Sequence, residues 1–345
     1  MPSPPEQQPR RPWRWLAAAL CVAYAIALGA YLGLRFVWPD WTPVLALIGY
    51  LGPFLFLPLV GLAPLAVFSR SRLALAGVLA VVGLFAWLYG ELFVPRLGPQ
   101  PQATGDPLVV MTYNLGPGRA LPQQVVADIL AAGADIVAVE ELTPAGSQAL
   151  QAGLTGVYPY TSLDARAADC GLLSRFPILS VQRFRPNGTG RTALQATVDV
   201  HGAATQVIVL HPEPPKLRLA GPWPMPTGAY VDHIDQELAD AARRAGEFTG
   251  PVIVVGDLNA GDLSRGYASM ASVLKDAFRE AGWGFGLTFP VGLVVAGVRI
   301  PGPLVRIDYV FHSAHFEALG AQVRCGSSDH CYVRARLVPV AALAN

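Results

Sequence analysis

The chain has 345 residues, 52% of them hydrophobic and only 14% charged, with a net charge of +1. A soluble domain usually carries nearer a quarter charged residues, so the apolar excess must be concentrated in one part of the chain. The near-neutral balance excludes a strong global field for nucleic acid or an anionic surface, while about 245 residues outside the apolar region suffice for one large domain.

The apolar part comes first. Leu16 to Leu34, Trp41 to Phe68 and Leu73 to Gly90 contain no charged residue. A helix crossing about 30 Å of hydrocarbon needs roughly 20 residues, so each segment is long enough to span a bilayer. Pro43, Pro53, Pro58 and Pro64 fall in the second, which predicts a span that is kinked or begins late. Trp13, Trp15, Trp38 and Trp41 flank the first span, where indole rings favour the interface. Arg10, Arg11 and Arg14 precede span one, and Arg70 and Arg72 separate spans two and three; the opposite side has Arg35 and Arg96. This asymmetry predicts a cytoplasmic N-terminus and an extracytoplasmic C-terminal domain, in a plasma (inner) membrane. A cleaved signal peptide would account for the first span alone. The boundaries expected are a cytoplasmic tail over 1–14, three membrane helices within 15–95, a Pro- and Gly-containing linker over 96–107, and a soluble domain over 108–345.

In that domain the pattern changes. PLVVMTYNL reads as a strand, Leu121 to Gly133 as a helix, and ADIVAVEEL as a buried strand. CGLLSRFPIL, TALQATVDV and TQVIVLH follow as strands, then VDHIDQELADAARRAGEF as a helix. PVIVVGDLN, RIDYVFHS and HCYVRARLVPV are the remaining strands. Many strands with few helices predict two packed sheets with helices outside. Of the four cysteines, Cys21 lies in span one; Cys170, Cys325 and Cys331 allow one disulfide and leave one thiol over.

Polar residues recur where buried strands end: Asn114, Glu141, His211, Asp257 with Asn259, and Asp308, with Ser328-Asp329-His330 before the last strand. Asp, Gly and Asn are ordinary turn formers, and each residue alone could be a cap or a turn. Converging strand ends would instead supply carboxylates for a divalent cation, an amide for phosphate, and histidines beside acids. Asp169, His201, Asp232, His233, Asp262, His312 and His315 read as surface or turn residues.

The order TYN, DIVAVEE, an L-H strand, GDLN, IDYVF and SDH resembles the endonuclease/exonuclease/phosphatase superfamily, with its DNase I-like fold. The resemblance covers residues 107–340 and implies a four-layer α/β sandwich, with 108–345 as a catalytic domain behind three transmembrane helices. Residue by residue it implies Glu141 as the metal-binding glutamate and Asp329 as the acid near the metal. Asn114 would organise metal and phosphate, and Asn259 would bind phosphate. Asp257 would orient or deprotonate water, His330 would face the scissile phosphate and Asp308 would orient it; His211 would act near the leaving group. Glu140 stands where the family often has Gln. The implied cofactor is Mg²⁺ (or Mn²⁺). Two departures concern the substrate: Leu115-Gly116 lacks the acid several nucleases carry, and residues 212–230 are Pro-rich and apolar.

Three readings compete. The first is a membrane-anchored, metal-dependent phosphodiesterase or nuclease. The second is a lipid phosphodiesterase of the sphingomyelinase or inositol-phosphatase type, favoured by the tether and by Trp223 and Met225. The third is a non-catalytic, membrane-tethered binding module, disfavoured because every acid and histidine the chemistry needs is present. Arg166, Arg175, Arg183, Arg185 and Arg191 form no dense basic run, which weakens the nucleic-acid substrate against a phospholipid or small phosphodiester. The sequence leaves oligomeric state open.

Overall fold

The structure, a computed structural model, describes residues 12–37, 43–94, 105–116, 121–165, 169–220, 225–295 and 297–340. The tail through Arg11, Trp38, Trp41, most of the expected linker, Arg166 and Trp223 lie outside the described residues. Helices α1 (Pro12–Val37), α2 (Pro43–Tyr50), α3 (Leu59–Ser69) and α4 (Arg72–Tyr89) form from the apolar third. Three helical segments, Pro12–Arg35, Gly52–Ser69 and Arg72–Phe93, are long and apolar enough to cross a membrane. The second begins at Gly52, later than the apolar run at Trp41: it opens with a 3₁₀ turn, Gly52–Phe56, that contains Pro53, and Pro58 stands at the N-cap of α3. The chain divides into two compact units, one of residues 1–41 and 52–90, the other of 42–51 and 91–345.

In the first unit small side chains allow close approach. Ala18, Cys21, Ala66, Ala74 and Val78 are buried together, and a Cβ on Gly77 would lie 2.8 Å from the Cys21 carbonyl. Leu16, Ile26, Val60, Phe68 and Trp87 are 62–76% exposed, a surface suited to lipid chains. Ser71 caps α4, accepting from the Ala74 amide.

The second unit continues with β1 (Leu108–Asn114), α5 (Pro122–Ala132), β2 (Ile136–Glu140), α6 (Pro144–Leu154), β3 (Tyr160–Ser162), β4 (Gly171–Ser174), β5 (Ile178–Phe184), β6 (Ala193–Val200) and β7 (Ala203–Leu210). Then come β8 (Lys216–Ala220), β9 (Met225–Tyr230), α7 (Asp232–Gly246), β10 (Val252–Asp257), α8 (Arg265–Ala271), β11 (Lys275–Asp276) and α9 (Ala277–Ala281). Strands β12 (Val294–Val295), β13 (Val298–Arg299), β14 (Asp308–His312), β15 (Phe316–Cys325) and β16 (Cys331–Pro339) complete it. One sheet runs β15-β16-β1-β2-β4-β3, the other β11-β14-β10-β7-β6-β5. The central pairs β1–β2 and β7–β10 are parallel and their outer neighbours antiparallel. Two short hairpins, β8–β9 and β12–β13, stand apart.

Strand periodicity explains the layers. Met111, Tyr113, Val137 and Val139 face α5 and α6, burying Val125, Ile129, Leu150 and Leu154. Ile208, Leu210, Val252, Val254, Tyr309 and Phe311 face α7 and α8. The alternate residues of β1, β2, β10 and β14 therefore point between the sheets, completing the expected four layers. Asn114, Glu140, Asp257 and Asp308 all fall in that alternate set, and all four are fully or almost fully buried.

Some expectations are corrected. CGLLSRFPIL is two strands in different sheets, because Arg175-Phe176-Pro177 turns the chain: the Ser174 hydroxyl accepts from the Phe176 amide, and Pro177 has no N–H for a ladder. The Pro-rich 212–230 segment contains the β8–β9 hairpin. His312 is not a surface residue; its ring is buried with Nε2 2.6 Å from Glu280 Oε2. Asp262 is also sheltered, 3.3 Å from Arg279 Nη2. In both cases a charged partner distant in sequence makes burial tolerable.

Glu237, on the inner face of α7, is 2% exposed and its Oε2 has no hydrogen-bond partner. Burial, then the Glu213 charge, pushes its carboxyl up to about 7. A carboxyl with a raised folded-state value is neutral at no cost at low pH. Its destabilising effect sets in as pH passes the unfolded value, about 4.3, and is complete above about 7. Glu237→Gln should therefore raise the melting temperature of the detergent-solubilised chain at pH 8 and leave it nearly unchanged at pH 4. An equal shift at both pH values would show that ionisation is not the cause.

Candidate active site

Gly256 sets the geometry. Its φ is 144°, and a Cβ there would lie 1.9 Å from the Leu210 carbonyl oxygen, so only glycine lets β10 close on β7 at this point. Asp257 and His211 consequently emerge side by side from parallel neighbours. Asp257 Oδ2 accepts from Asn114 Nδ2 at 2.9 Å, and Oδ1 from the Asn259 amide at 2.9 Å. The Nε2 atoms of His211 and His330 each lie 3.8 Å from Oδ2. Residues from four strand ends thus meet at one carboxylate.

Asp308 pairs with Asp257 across the β10–β14 ladder. Two buried carboxylates so placed repel, and His330 lies between them with Nδ1 3.0 Å from Asp308 Oδ2. Burial raises the Asp257 carboxyl, Asp308 raises it further, and the two histidines oppose this. For His330, burial favours the neutral ring, but the charges of Asp308 and Asp257 win and push it up to about 10. The imidazole is therefore cationic at neutral pH. Thr288 Oγ1 accepts from the Ile307 and Asp308 amides, fixing the start of β14.

His211 has the partners that sequence reading missed. Asp169, expected at the surface, lies with Oδ2 2.9 Å from His211 Nδ1. Arg191 Nη1 is 3.2 Å from the same oxygen and 2.6 Å from His211 Nε2. Burial raises Asp169, but the hydrogen bond and electrostatic interaction with His211, and then the Arg191 guanidinium, hold it below the ordinary carboxylate value. Glu141 Oε1 stands 3.7 Å from His211 Nε2, on the other side of the ring from Asp169. Glu141 follows the end of β2 with φ 56° and is partly exposed, whereas Glu140, the last residue of the strand, is buried. Glu140 Oε1 accepts from Thr112 Oγ1 at 2.8 Å; burial, with Asp308 and Asp257 nearby, lifts its carboxyl well above the usual range.

Asp329 and His330 sit in a loop between β15 and β16 that a Cys325–Cys331 disulfide closes; Cys170, like Cys21, is a buried free thiol. Ser328 anchors this loop to β1: its hydroxyl donates to the Asn114 carbonyl at 2.8 Å and accepts from the His330 amide at 3.1 Å. Closing so short a loop in the unfolded chain is worth roughly 2 kcal/mol. A Cys325→Ser/Cys331→Ser chain should melt several degrees lower, as should the wild type in dithiothreitol. Unchanged melting in both would show that Ser328 and the ladder suffice.

Asn114, Asp329 and Glu141 are oxygen donors of the kind a divalent cation takes. Gly116, φ 55°, leaves a cradle beside Asn114 that a Cβ would fill, 2.2 Å from Asp329 Oδ1. Asn114 Oδ1 accepts from the Gly116 amide and keeps one lone pair. Glu141 and Asp329 would add the carboxylates that Mg²⁺ prefers. Ligand atoms of Asp257, Asp308 and His330 also lie within 4.8 Å of one another. That buried group is a second candidate for holding a cation, which would displace the imidazole proton on binding.

A family model described as Endonuclease/Exonuclease/phosphatase family matches residues 111–330. A search of curated proteins finds no match. Among solved structures, an endonuclease/exonuclease/phosphatase from Beutenbergia cavernae DSM 12333 is similar with a TM-score of 0.51 at 20% identity, covering 69% of this chain and 73% of that one. D. rerio TDP2 complexed with a single-strand DNA product gives 0.52 at 15% identity, covering 68% and 99%. A Bacteroides thetaiotaomicron VPI-5482 mannosyl-6-phosphatase gives 0.50 at 17%, covering 67% and 99%. At such identities the likeness establishes the DNase I-like fold.

Proposed function

Since the chain belongs to the endonuclease/exonuclease/phosphatase family, we propose that it is a membrane-anchored, divalent-metal-dependent phosphoesterase that cleaves a phosphodiester with activated water. The observation that carries this reading is Asp257, held by Asn114 at 2.9 Å and faced by two histidines at 3.8 Å. Asp257 takes the proton of the attacking water; a raised carboxyl is a stronger base than an exposed one. Asn259 Nδ2 gives one hydrogen to the Pro212 carbonyl and has a second for a phosphate oxygen. Cationic His330 faces the charge that develops on the phosphate. His211, oriented by Asp169, serves the leaving group. Glu141, Asp329 and Asn114 would hold Mg²⁺ or Mn²⁺, which when bound neutralises phosphate charge as a Lewis acid.

The fold neighbours include one solved with a DNA product and one acting on a sugar phosphate, so the shared chemistry is phosphoester hydrolysis and the substrate is set by the rim. A lipid substrate has one specific observation in its favour: Leu217 and Leu219 on β8 are 49% and 54% exposed. In this reading the catalytic domain over 108–345 lies outside the cytoplasm. The arginine asymmetry supports this, as does a disulfide, which persists in oxidising compartments. A reporter fused after Asn345 should be active only outside the cytoplasm; activity of a cytoplasm-only reporter would reverse the orientation.

The test of function uses the full chain in detergent with Mg²⁺ against plasmid DNA, sphingomyelin, phosphoinositides and bis-p-nitrophenyl phosphate. Hydrolysis of at least one, abolished by EDTA, is expected. Hydrolysis of none, with EDTA making no difference, would leave the non-catalytic binding module.

A further inference from the structure

Helix α2 comes from the apolar region, between the span ending at Arg35 and the one starting at Gly52, yet it packs within the second unit. Two glycines grip it. A Cβ on Gly228 of β9 would lie 2.6 Å from Pro43 Cβ, and one on Gly261 would lie 3.3 Å from the Tyr50 Cα. Between these grips α2 delivers the Tyr50 phenol to the loop after β10, where its hydroxyl donates to the Asn259 carbonyl at 2.6 Å.

Asn259 has a φ of 48°, the left-handed conformation, which asparagine adopts more readily than other non-glycine residues and which fixed hydrogen bonds hold in one orientation. Here three groups of the residue are held, while one side-chain N–H stays available. The amide donates to Asp257 Oδ1, the side-chain nitrogen donates to the Pro212 carbonyl, and the carbonyl accepts from Tyr50. The first two bonds come from the end of β10 and the loop after β7; the third comes from α2, which belongs to the same unit but precedes the second span in sequence. Burial, with the charges of Asp235 and Asp257, raises the Tyr50 phenol, so it remains a donor.

We infer that Tyr50 is a positioning residue of the active site, and that helix α2 braces Asn259 from a segment lying between two membrane spans. The inference rests on the phosphoesterase reading for its catalytic consequence but not for the brace itself. A fragment starting after residue 91 would therefore lack part of its own active site.

The experiment compares full chains in detergent: wild type, Tyr50→Phe, Asn259→Ala, the double variant, and Gly228→Leu, which displaces α2 without touching a catalytic group. Turnover of bis-p-nitrophenyl phosphate and hydrogen exchange over residues 257–263 are measured. Tyr50→Phe should lower kcat by a factor on the order of five to ten with KM within about twofold, the scale of one lost hydrogen bond. In the Asn259→Ala background it should cause no further loss, because the effect runs through that residue. Exchange should quicken in both Tyr50→Phe and Gly228→Leu. Wild-type kcat in Tyr50→Phe, full additivity with Asn259→Ala, or unchanged exchange would each overturn the inference. If the wild type turns nothing over, the functional reading fails by itself, and exchange decides the brace.

Discussion

Alanine at His330 should cut turnover of bis-p-nitrophenyl phosphate by a factor on the order of 10² to 10⁴, with a much smaller change in KM. The reason is electrostatic. His330 is held cationic by Asp308 and Asp257, its Nδ1 is bonded to Asp308, and its Nε2 points toward Asp257, so one donor faces the cleft. A cation fixed there need not reorganise as charge develops on the phosphate. Asp257→Ala should fall in the same range, for loss of the base. Asp308→Asn separates the roles: the ring stays in place but loses the largest influence raising it. With His330 titrating at about 10, the alkaline limb of kcat/KM should lie near that pH in the wild type and move down by a unit or more in Asp308→Asn. The same ion pairing contributes stability that is fully present below the unfolded value of about 6.5 and is lost as pH rises through about 10. Near-full activity in His330→Ala, or an alkaline limb unmoved in Asp308→Asn, would remove the imidazolium from the mechanism.

The parts of the fold that could be read in advance are those written in local periodicity. Alternation along VVMTYN, DIVAVE and VIVVGD specifies which residues share a face, and the polar residue ending each run marks the end where those faces meet. The order of these motifs carried the family resemblance, and the structure brings Asn114, Glu141, His211, Asp257, Asn259, Asp308 and His330 together. What escaped depends on contacts between distant residues. Asp169 meets His211 from 42 positions away, and nothing in its neighbourhood distinguishes it from a turn aspartate. His312 is buried against Glu280 on another element. Tyr50 sits in a run whose composition says only membrane, and its bond to Asn259 crosses 209 positions. The break between β4 and β5 had a local signal in Pro177, outweighed by the apolar residues on both sides.

Adjacent glutamates give the other large effect. Glu141→Gln should lower Mg²⁺-dependent turnover by a factor on the order of 10² to 10³ and weaken Mn²⁺ binding, measured directly by calorimetry, by at least about tenfold. Glu140→Gln should leave both within a few-fold of wild type. The two carboxyls differ by one position but occupy opposite environments. Glu140 is the last residue of β2, wholly buried between the sheets and bonded to Thr112. In that setting the neutral acid is favoured, and an amide of the same shape replaces it with little loss. Glu141 lies just past the strand with φ 56°, its side chain 28% exposed and turned toward His211. A carboxylate there is open to a hydrated cation, and a hard cation prefers such an oxygen ligand. Glutamine at 141 retains the shape but removes the charge, so binding should suffer even where folding does not. The reverse ranking, with Glu140→Gln abolishing metal binding and Glu141→Gln tolerated, would move the cation into the buried layer beside Asp257, Asp308 and His330.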